Sequence, residues 1–464
     1  MSTTKLKRVL GYRDLVLFYV ASGLSLRWIA TAAAVGPSAI AIWLTAFVGF
    51  FVPLAMCVLD LSSRYPDEGG LYVWTREAFG PFSAFISAWT YWMSNLPYFP
   101  SVLFFAAGSL VYVGGFMRTA ADSQIYFLGF TIVMLAAITL LNVVGLDVGK
   151  WLNNVGAIGS LVPAAGLILL GGVSFFRFGS ATHFTVGAMV PRPGMKNLIF
   201  LSTIFFAFGG CEAGSFMGEE IREPRRVIPR SLFVAGCILA LGYIAGTLSM
   251  LMALPAERIS GLGGFMTAID FLAQRLGMGF LIAPIGLFVA VSSIGAASAY
   301  LSSTARLPFV AGVHNYLPAS FGRIHPRYRT PHVAIISYGM AGIVFGLLGQ
   351  AGTNVRGAYD MLVAMGVITY FIPYLFLFAS AIRLQREPMP EGSYQFSGQR
   401  RMLVPLAYVG LASTACTIVL SLFPAEDDAH PMATLIKIVV MTVVLLVAGI
   451  AVYLSSLRKQ AANG

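Results

Sequence analysis

The chain has 464 residues, of which 58% are hydrophobic and only 11% are charged, and its mean hydropathy is +0.80. Soluble domains average about 45–50% apolar and about 25% charged residues, so this composition excludes an ordinary soluble protein. The formal net charge of +11 could suggest nucleic-acid binding, but the positions of the basic residues relate the charge to membrane topology instead.

Apolar runs bounded by Gly, Pro and charged residues predict about twelve transmembrane helices. The predicted spans are 13–39, 41–63, 82–113, 124–144, 152–176, 197–218, 230–254, 280–307, 332–349, 358–384, 402–423 and 433–456. The predicted organisation comprises a cytoplasmic basic tail (1–12), helices 1–5 (13–176), an extracytoplasmic loop (177–196), helices 6–10 (197–384), a cytoplasmic loop (385–401), helices 11 and 12 (402–456) and a cytoplasmic tail (457–464).

Basic residues are distributed unevenly between the two sides of these spans. With the N-terminus in the cytoplasm, 21 of the 30 basic residues fall on inward-facing segments and seven on outward loops. The positive-inside rule therefore predicts a multi-pass protein of the cell (plasma or inner) membrane with both termini in the cytoplasm. The four cysteines have no metal-ligand spacing, and we expect neither a metal nor a cofactor.

The first predicted span is interrupted near its middle. Residues 21–28 read ASGLSLRW, so Ser22, Gly23 and Ser25 weaken the helix and Arg27 adds a charge at bilayer depth. Arg27 could instead extend its side chain to the membrane surface.

The sixth predicted span has the same two features. Residues 208–215 read FGGCEAGS, with a glycine pair beside the acid Glu212. Glycine pairs are also found where membrane helices pack closely, and a buried Glu can simply bond a neighbouring helix. Interruptions at corresponding positions of helices 1 and 6 favour an inverted repeat of helices 1–5 and 6–10, with the substrate site between the two breaks.

Four motifs resemble those of one transporter family. They are RYPDEGGLYVW at 64–74, FGGCEAGS at 208–215 continuing to EEIREPRRVIPR at 219–230, SSTARLPF at 302–309 and HPRYRTP at 325–331. The chain is similar to the amino acid–polyamine–organocation superfamily. That resemblance implies a five-plus-five inverted repeat of the leucine-transporter type, with helices 1 and 6 broken and two additional C-terminal helices.

Helices 1 and 6 look closest to the glutamate/GABA antiporter branch of that superfamily. Ser22-Gly23 is followed by Leu24 rather than by the second glycine of many amino acid permeases. Helix 5 also lacks the mid-helix lysine of some proton-driven members, and its Lys150 lies only at the cytoplasmic edge.

Broken helices present free N–H groups to a carboxylate and free carbonyls to an ammonium. Arg27 could bind a carboxylate or pair with Glu212, and Glu212 could bind an ammonium or carry a proton. Aromatic residues nearby could close over a ligand, although each could equally be a packing residue. The predicted substrate-binding residues are Ser22, Gly23, Leu24, Ser25, Arg27, Tyr98, Phe208, Gly209, Gly210, Cys211 and Glu212, with Glu212 also predicted for proton coupling.

These features predict a secondary active transporter of amino acids or related amines that works by alternating access and is driven by protons or by exchange. A polyamine or organic-cation transporter of the same fold is the alternative. An integral-membrane enzyme is disfavoured because the sequence contains no HExxH, GxSxG or P-loop motif, and a channel because rings of pore-lining polar residues are missing. The expected partners are a small-molecule substrate and the lipid bilayer, without nucleic acid, and the oligomeric state is left open.

Overall fold

The protein is built from helices. The computed structural model describes residues 6–114, 120–191, 202–259, 262–350, 355–388, 399–421 and 431–463. Within these ranges the β-structure is limited to an isolated parallel bridge between Leu10 and Ile221. Nine helical stretches of the described part are long and apolar enough to cross a membrane. The prediction of an all-α integral membrane protein is confirmed.

The helices have the following bounds. In chain order they are α1 (Tyr12–Gly23), α2 (Leu26–Ala33), α3 (Ala39–Ala46), α4 (Val52–Arg64), α5 (Leu71–Phe79), α6 (Pro81–Ser94), α7 (Tyr98–Leu110), α8 (Gln124–Val144), α9 (Leu146–Phe178), α10 (Val186–Met189), α11 (202–207), α12 (Pro224–Ala253), α13 (Gly264–Arg275), α14 (Ile282–Thr304), α15 (Arg306–Val313), α16 (His332–Gln350), α17 (Val355–Leu384), α18 (Gln399–Ser421) and α19 (Pro431–Asn463). A π-helical stretch, Phe47–Phe51, joins α3 to α4, and a 3₁₀ segment, Ala213–Glu220, precedes α12.

The first predicted span is broken where the sequence indicates. Helix α1 ends at Gly23 and α2 begins at Leu26, which leaves a non-helical link of two residues. In that link Ser25 is extended, with φ −96° and ψ 114°. Gly and Ser are poor helix formers, so the break occurs where intrinsic helix propensity is locally low.

The sixth predicted span, 197–218, begins outside the described residues, and its second half is irregular. Helix α11 ends at residue 207, and regular structure resumes only with the 3₁₀ segment at Ala213. Between them Gly210 has a φ of +100°, a conformation that glycine adopts without steric strain. The predicted break in this span is confirmed.

The third predicted span, 82–113, is also divided, and the sequence analysis missed this break. Helices α6 and α7 are separated by residues 95–97, and Pro97 occupies the position before the first residue of α7. Proline lacks an N–H group and disfavours helical geometry in the residue before it, so the chain bends there. The apolar run continues through the proline, which is why it reads as one helix.

Two helices beside the first break form a close-packed pair. Gly156 of α9 faces Gly295 of α14, and a Cβ atom built on Gly156 would lie 2.6 Å from the Gly295 Cα. One helical turn away the Ser160 and Ser292 hydroxyls are 2.6 Å apart. Small residues let membrane helices approach at backbone distance, and this pair lies against α1.

The N-terminal segment is hydrogen-bonded to the chain just after the sixth predicted span, 197–218. The N–H groups of Val9 and Leu10 donate to the Glu220 carbonyl at 2.9 and 3.1 Å, and the Arg222 N–H donates to the Leu10 carbonyl at 2.9 Å. The start of the chain is therefore attached to the end of the 3₁₀ segment.

Candidate substrate site

The two helix breaks meet at one narrow cavity. Its lining residues come from the two breaks with the helices beside them and from three other parts of the chain, namely the third span, α14 and α17. They are Ser22, Gly23, Ser25, Trp28, Asn95, Tyr98, Phe206, Ala207, Gly209, Tyr300 and Tyr370. The cavity volume is about 10 Å³, roughly what a single water molecule requires. The site is closed in this conformation and must widen to admit a small organic ligand.

The Tyr243 hydroxyl on α12 bridges the two breaks. It donates to the Gly23 carbonyl and accepts the Ser25 N–H at 3.1 Å, and it lies 3.3 Å from the Ala207 carbonyl. The Tyr243 ring stacks on Trp43 with its centroid 4.4 Å away. This one side chain satisfies backbone groups that the interruption of helix 1 leaves without helical partners.

Glu212 is fully buried behind the cavity and has three hydrogen-bond donors. The Tyr91 and Tyr374 hydroxyls donate to its Oε1 at 2.5 and 2.8 Å, and the Gly210 N–H donates to its Oε2 at 3.2 Å. The Tyr374 oxygen also lies 2.7 Å from the Tyr370 hydroxyl. Glu212 is therefore held by hydroxyl and backbone donors, which connect it to the Tyr370 ring at the cavity wall.

The glycine pair in this break makes room for the tyrosines. A Cβ atom on Gly209 would lie 2.6 Å from the Tyr370 hydroxyl and 2.8 Å from that of Tyr374. A Cβ atom on Gly210 would clash with the Tyr300 hydroxyl. Close approach of the rings to the backbone requires glycine at both positions, in addition to the conformational requirement at Gly210.

Arg27 lies on α2 beside the cavity and is only 1% exposed. Its guanidinium donates to the Ser101 hydroxyl at 3.0 Å and stacks over the rings of Trp28 and Tyr98, 4.4 and 5.1 Å from their centroids. Within the described ranges no carboxylate lies within ion-pair distance of Arg27, and its Nε has no hydrogen-bond partner. Arg27 and Glu212 do not pair with each other in this conformation, and binding of a substrate carboxylate by Arg27 stays a prediction.

The structure brings many of the predicted residues together. Ser22, Gly23, Ser25, Tyr98 and Gly209 all line the cavity. The Tyr98 hydroxyl is buried there without a hydrogen-bond partner among the described residues.

Three predicted residues lie in a different environment. The Phe208 ring, expected to close over a ligand, packs instead against Trp43 and Phe51, 5.2 and 5.3 Å between centroids. Leu24 and Cys211 belong to the buried apolar core. In an irregular segment successive side chains point in different directions, so neighbours in sequence do not share a surface.

Sequence reasoning missed the tyrosines that surround Glu212. Tyr370 and Tyr374 are four residues apart on α17, a spacing that places both on one helix face. That spacing is visible in the sequence, but no local pattern indicates which helix this face meets. Tyr91, Tyr300 and Trp28 likewise contribute through tertiary packing.

The chain matches known proteins over most of its length. The family model described as amino acid permease matches residues 10–453. An uncharacterised transporter of Legionella pneumophila is 25% identical over 91% of both chains. A probable agmatine/putrescine antiporter of Lactococcus lactis is 21% identical over 90% of this chain and 89% of its own length. The glutamate/gamma-aminobutyrate antiporter of that organism is 23% identical over 85% and 81%.

Among solved structures, MhsT in complex with L-phenylalanine has a TM-score of 0.63 at 13% identity and covers 90% of this chain and 99% of MhsT. This similarity confirms the predicted leucine-transporter-type fold. The family and its relatives are secondary transporters with several membrane-spanning helices. The chain therefore belongs to the amino acid permease family, within the amino acid–polyamine–organocation superfamily of membrane transporters.

Proposed function

We propose that this protein moves amino acids or related amines across the cell membrane by alternating access, driven by protons or by exchange. The observation that carries the proposal is the meeting of two helix breaks at one closed cavity, with buried Glu212 behind it. Irregular backbone at membrane depth is tolerated where it lines a cavity, and inverted-repeat transporters bind substrate where their broken helices meet. The basic residues favour an orientation with both termini in the cytoplasm.

Two features support a substrate that carries a carboxylate. Helix α2 begins at Leu26, and its first N–H groups form the positive end of a helix dipole. Beside them Arg27 supplies a buried guanidinium without an acidic partner in the described structure. Trp28 and Tyr98 stack against the guanidinium, so their rings must shift before a carboxylate can contact it. The carbonyl end of α11 suits the substrate's ammonium group.

A polyamine or other organic cation is the second candidate. The agmatine/putrescine specificity in the name of the Lactococcus relative favours it. A diamine, however, has no group to pair with Arg27. It would add positive charge near a buried guanidinium, where the low dielectric strengthens repulsion. A substrate with both an amine and a carboxylate fits the charges better.

Glu212 is proposed as the proton carrier. When it is ionised it accepts all three of its hydrogen bonds, from Tyr91, Tyr374 and the Gly210 N–H. Protonation of Oε1 converts this oxygen into a donor, so one of the two tyrosine hydroxyls that bond it must rotate to accept. Because the Tyr374 hydroxyl is also bonded to Tyr370 at the cavity wall, protonation can be coupled to the shape of the site.

Uptake into liposomes tests these assignments. The full-length protein is assayed with glutamate, γ-aminobutyrate, agmatine and putrescine, two probes with a carboxylate and two without one, under a pH gradient. We expect the wild-type protein to take up the two carboxylate probes. In Glu212→Gln this uptake should no longer depend on pH. Glu223→Gln is the matched control, because the Glu223 side chain is 73% exposed.

Each part of the proposal can fail separately. Unchanged affinity and an unchanged pH profile in Glu212→Gln would reduce Glu212 to a structural hydrogen-bonding group. Uptake of agmatine and putrescine alone would favour the organic-cation alternative. Replacing sodium with choline should leave uptake unchanged, and strict sodium dependence would contradict coupling to protons or exchange.

A further inference from the structure

A second group of buried charges includes Glu220, eight residues beyond Glu212 in the sequence. Arg306 of α15 donates to both carboxylate oxygens of Glu220, at 2.9 Å from Nε and 3.0 Å from Nη2. Glu68, in the loop between α4 and α5, lies 3.5 Å from the Arg306 Nε through its Oε1. Arg306, Glu220 and Glu68 are 1%, 2% and 5% exposed. Two acids therefore share one base in an environment nearly free of solvent.

The two acids are held differently. Both oxygens of Glu220 are engaged by Arg306, as expected of an ionised carboxylate. Glu68 accepts the Glu219 N–H at its Oε2 at 3.0 Å, while its Oε1 has no hydrogen-bond partner in the described chain. A proton on Glu68 removes one of the two like charges and gives this carboxyl an O–H group that can donate to Glu220.

Burial raises the pKa of Glu68 well above its ordinary value; repulsion from Glu220 adds to the rise and Arg306 opposes it. Burial also raises the pKa of Glu220, against the attraction of Arg306. Like charges at one site do not both ionise readily. Glu219 adds a further negative charge. Lys7, Arg327 and Arg329 line a neighbouring cavity that Glu220 also lines.

This charged group holds together segments of the chain that would have to separate if the transporter opened at the end where Glu68 and Glu220 lie. The Gly69 N–H donates to the Phe216 carbonyl at 2.9 Å, beside the Glu219-to-Glu68 bond. The Glu220 carbonyl also accepts two N–H groups of the N-terminal segment. The charged group thus connects the 64–74 motif, the sixth span, α15 and the start of the chain.

A cavity borders the group on one side, at Glu220. The cavity has a volume of about 380 Å³ and is lined by Glu220, by Lys7 of the N-terminal segment and by residues 327–330. The proposed orientation places this cavity at the cytoplasmic face. Protons can therefore exchange between the buried carboxyls and the cytoplasm when the group loosens.

We propose that Glu68 and Glu220 form a second proton-binding site, separate from Glu212, which holds one proton between its carboxyls while the cytoplasmic end is closed. Opening separates and hydrates the two carboxyls, the Glu68 O–H bond breaks, and the proton passes to water in the cytoplasm. Because the closed form binds this proton more tightly, it is favoured at low pH. It loses that advantage as the pH rises above the ordinary carboxyl value of 4.5 towards the raised value. The location and the transport role of this site rest on the proposed function.

Infrared spectroscopy of the full-length protein in liposomes tests the site with the proton as its probe. The C=O band of protonated carboxyl groups is titrated in wild type, Glu68→Gln and Asp67→Asn. Glutamine at position 68 keeps the acceptor for the Glu219 N–H and imitates the protonated acid. Asp67 is adjacent and exposed, so it controls for the loss of one negative charge.

The expected result is that Glu68→Gln loses the band of one carboxyl group that titrates above the ordinary range, while Asp67→Asn retains it. Hydrogen exchange gives a second readout. After correction for intrinsic rates, the Gly69 and Glu219 amides should lose protection as the pH rises in wild type but remain protected in Glu68→Gln. An identical band titration in wild type and Glu68→Gln would overturn the proposal.

Two further variants complete the test. If Glu68→Gln does not fold, Glu68→Asp should shift the titration, and an unshifted titration would overturn the proposal. Glu212→Gln should leave this band in place. A failure of Glu212 as proton carrier therefore appears in the uptake assay, and a failure of the Glu68–Glu220 site appears in the infrared titration.

Discussion

Replacing Tyr243 with phenylalanine should loosen the link between α1 and α2. The substitution removes only the hydroxyl, which bonds the Gly23 carbonyl and the Ser25 N–H, and leaves the ring stacked on Trp43. An unsatisfied buried polar group costs about 1–3 kcal/mol. The Ser25 N–H keeps a contact of 3.0 Å with the Gly23 carbonyl. The loss should therefore come mainly from the Tyr243 hydrogen bonds to the Gly23 and Ala207 carbonyls, at about 1 kcal/mol each and about 2 kcal/mol in total.

The expected loss can be measured as stability and as ligand affinity. The free energy of unfolding is obtained by titrating the purified protein in mixed micelles with a denaturing detergent. Where binding requires the ordered link, about 2 kcal/mol corresponds to a dissociation constant roughly thirtyfold weaker. Tyr338→Phe is the matched control, because Tyr338 is also buried and donates one hydrogen bond of 3.2 Å to the Trp92 carbonyl. If Tyr243→Phe changes binding no more than Tyr338→Phe does, the bridge between the breaks is not part of the binding site.

Two further predictions concern charged groups. Arg27→Lys should impair uptake of the carboxylate probes nearly as much as Arg27→Ala, because lysine lacks the planar guanidinium that stacks on Trp28 and Tyr98. Normal uptake by both variants would show that Arg27 does not bind the substrate. Burial lowers the pKa of His314 below its ordinary value of 6.5. The positive charge of Arg76 lowers this pKa further, since the Arg76 Nη1 lies 2.9 Å from the His314 Nε2. The stability that neutral His314 provides is complete above 6.5 and is lost as the pH falls towards the lowered pKa. The thermal midpoint of wild type should therefore fall more than that of His314→Gln across roughly pH 8 to 5, and equal falls would contradict this.

Local features of the sequence predict the helices and the two breaks that meet at the cavity, because each depends on nearby residues. Runs of apolar residues define membrane helices, and Gly and Ser lower helix propensity within them. The positions of Arg27 and Glu212 follow from the same pattern. The break before α7 is encoded by Pro97, but it interrupts an apolar run and has no charge to mark it.

The surroundings of the candidate site could not be predicted in this way, because they depend on contacts between distant segments. Glu212 meets Tyr91 and Tyr374, which are 121 and 162 residues away. Phe208 is adjacent to the glycine pair, yet it faces the core, since the orientation of a side chain in an irregular segment depends on the exact backbone path. The pairing of Glu68 with Glu220 through Arg306 has the same cause.

The attachment of the N-terminal segment to the sixth span also constrains the order in which the molecule assembles. Val9 and Leu10 are synthesised early, but their hydrogen-bond partner Glu220 follows roughly two hundred residues later. Six predicted spans precede residue 220 in the sequence, so all six are synthesised before that contact can form. The first helices therefore enter the membrane before Val9 and Leu10 have their hydrogen-bond partner. In a ribosome-bound chain truncated before residue 220, the N-terminal segment should therefore be accessible to protease. Completion of the sixth span is then the step that fixes the start of the chain in place.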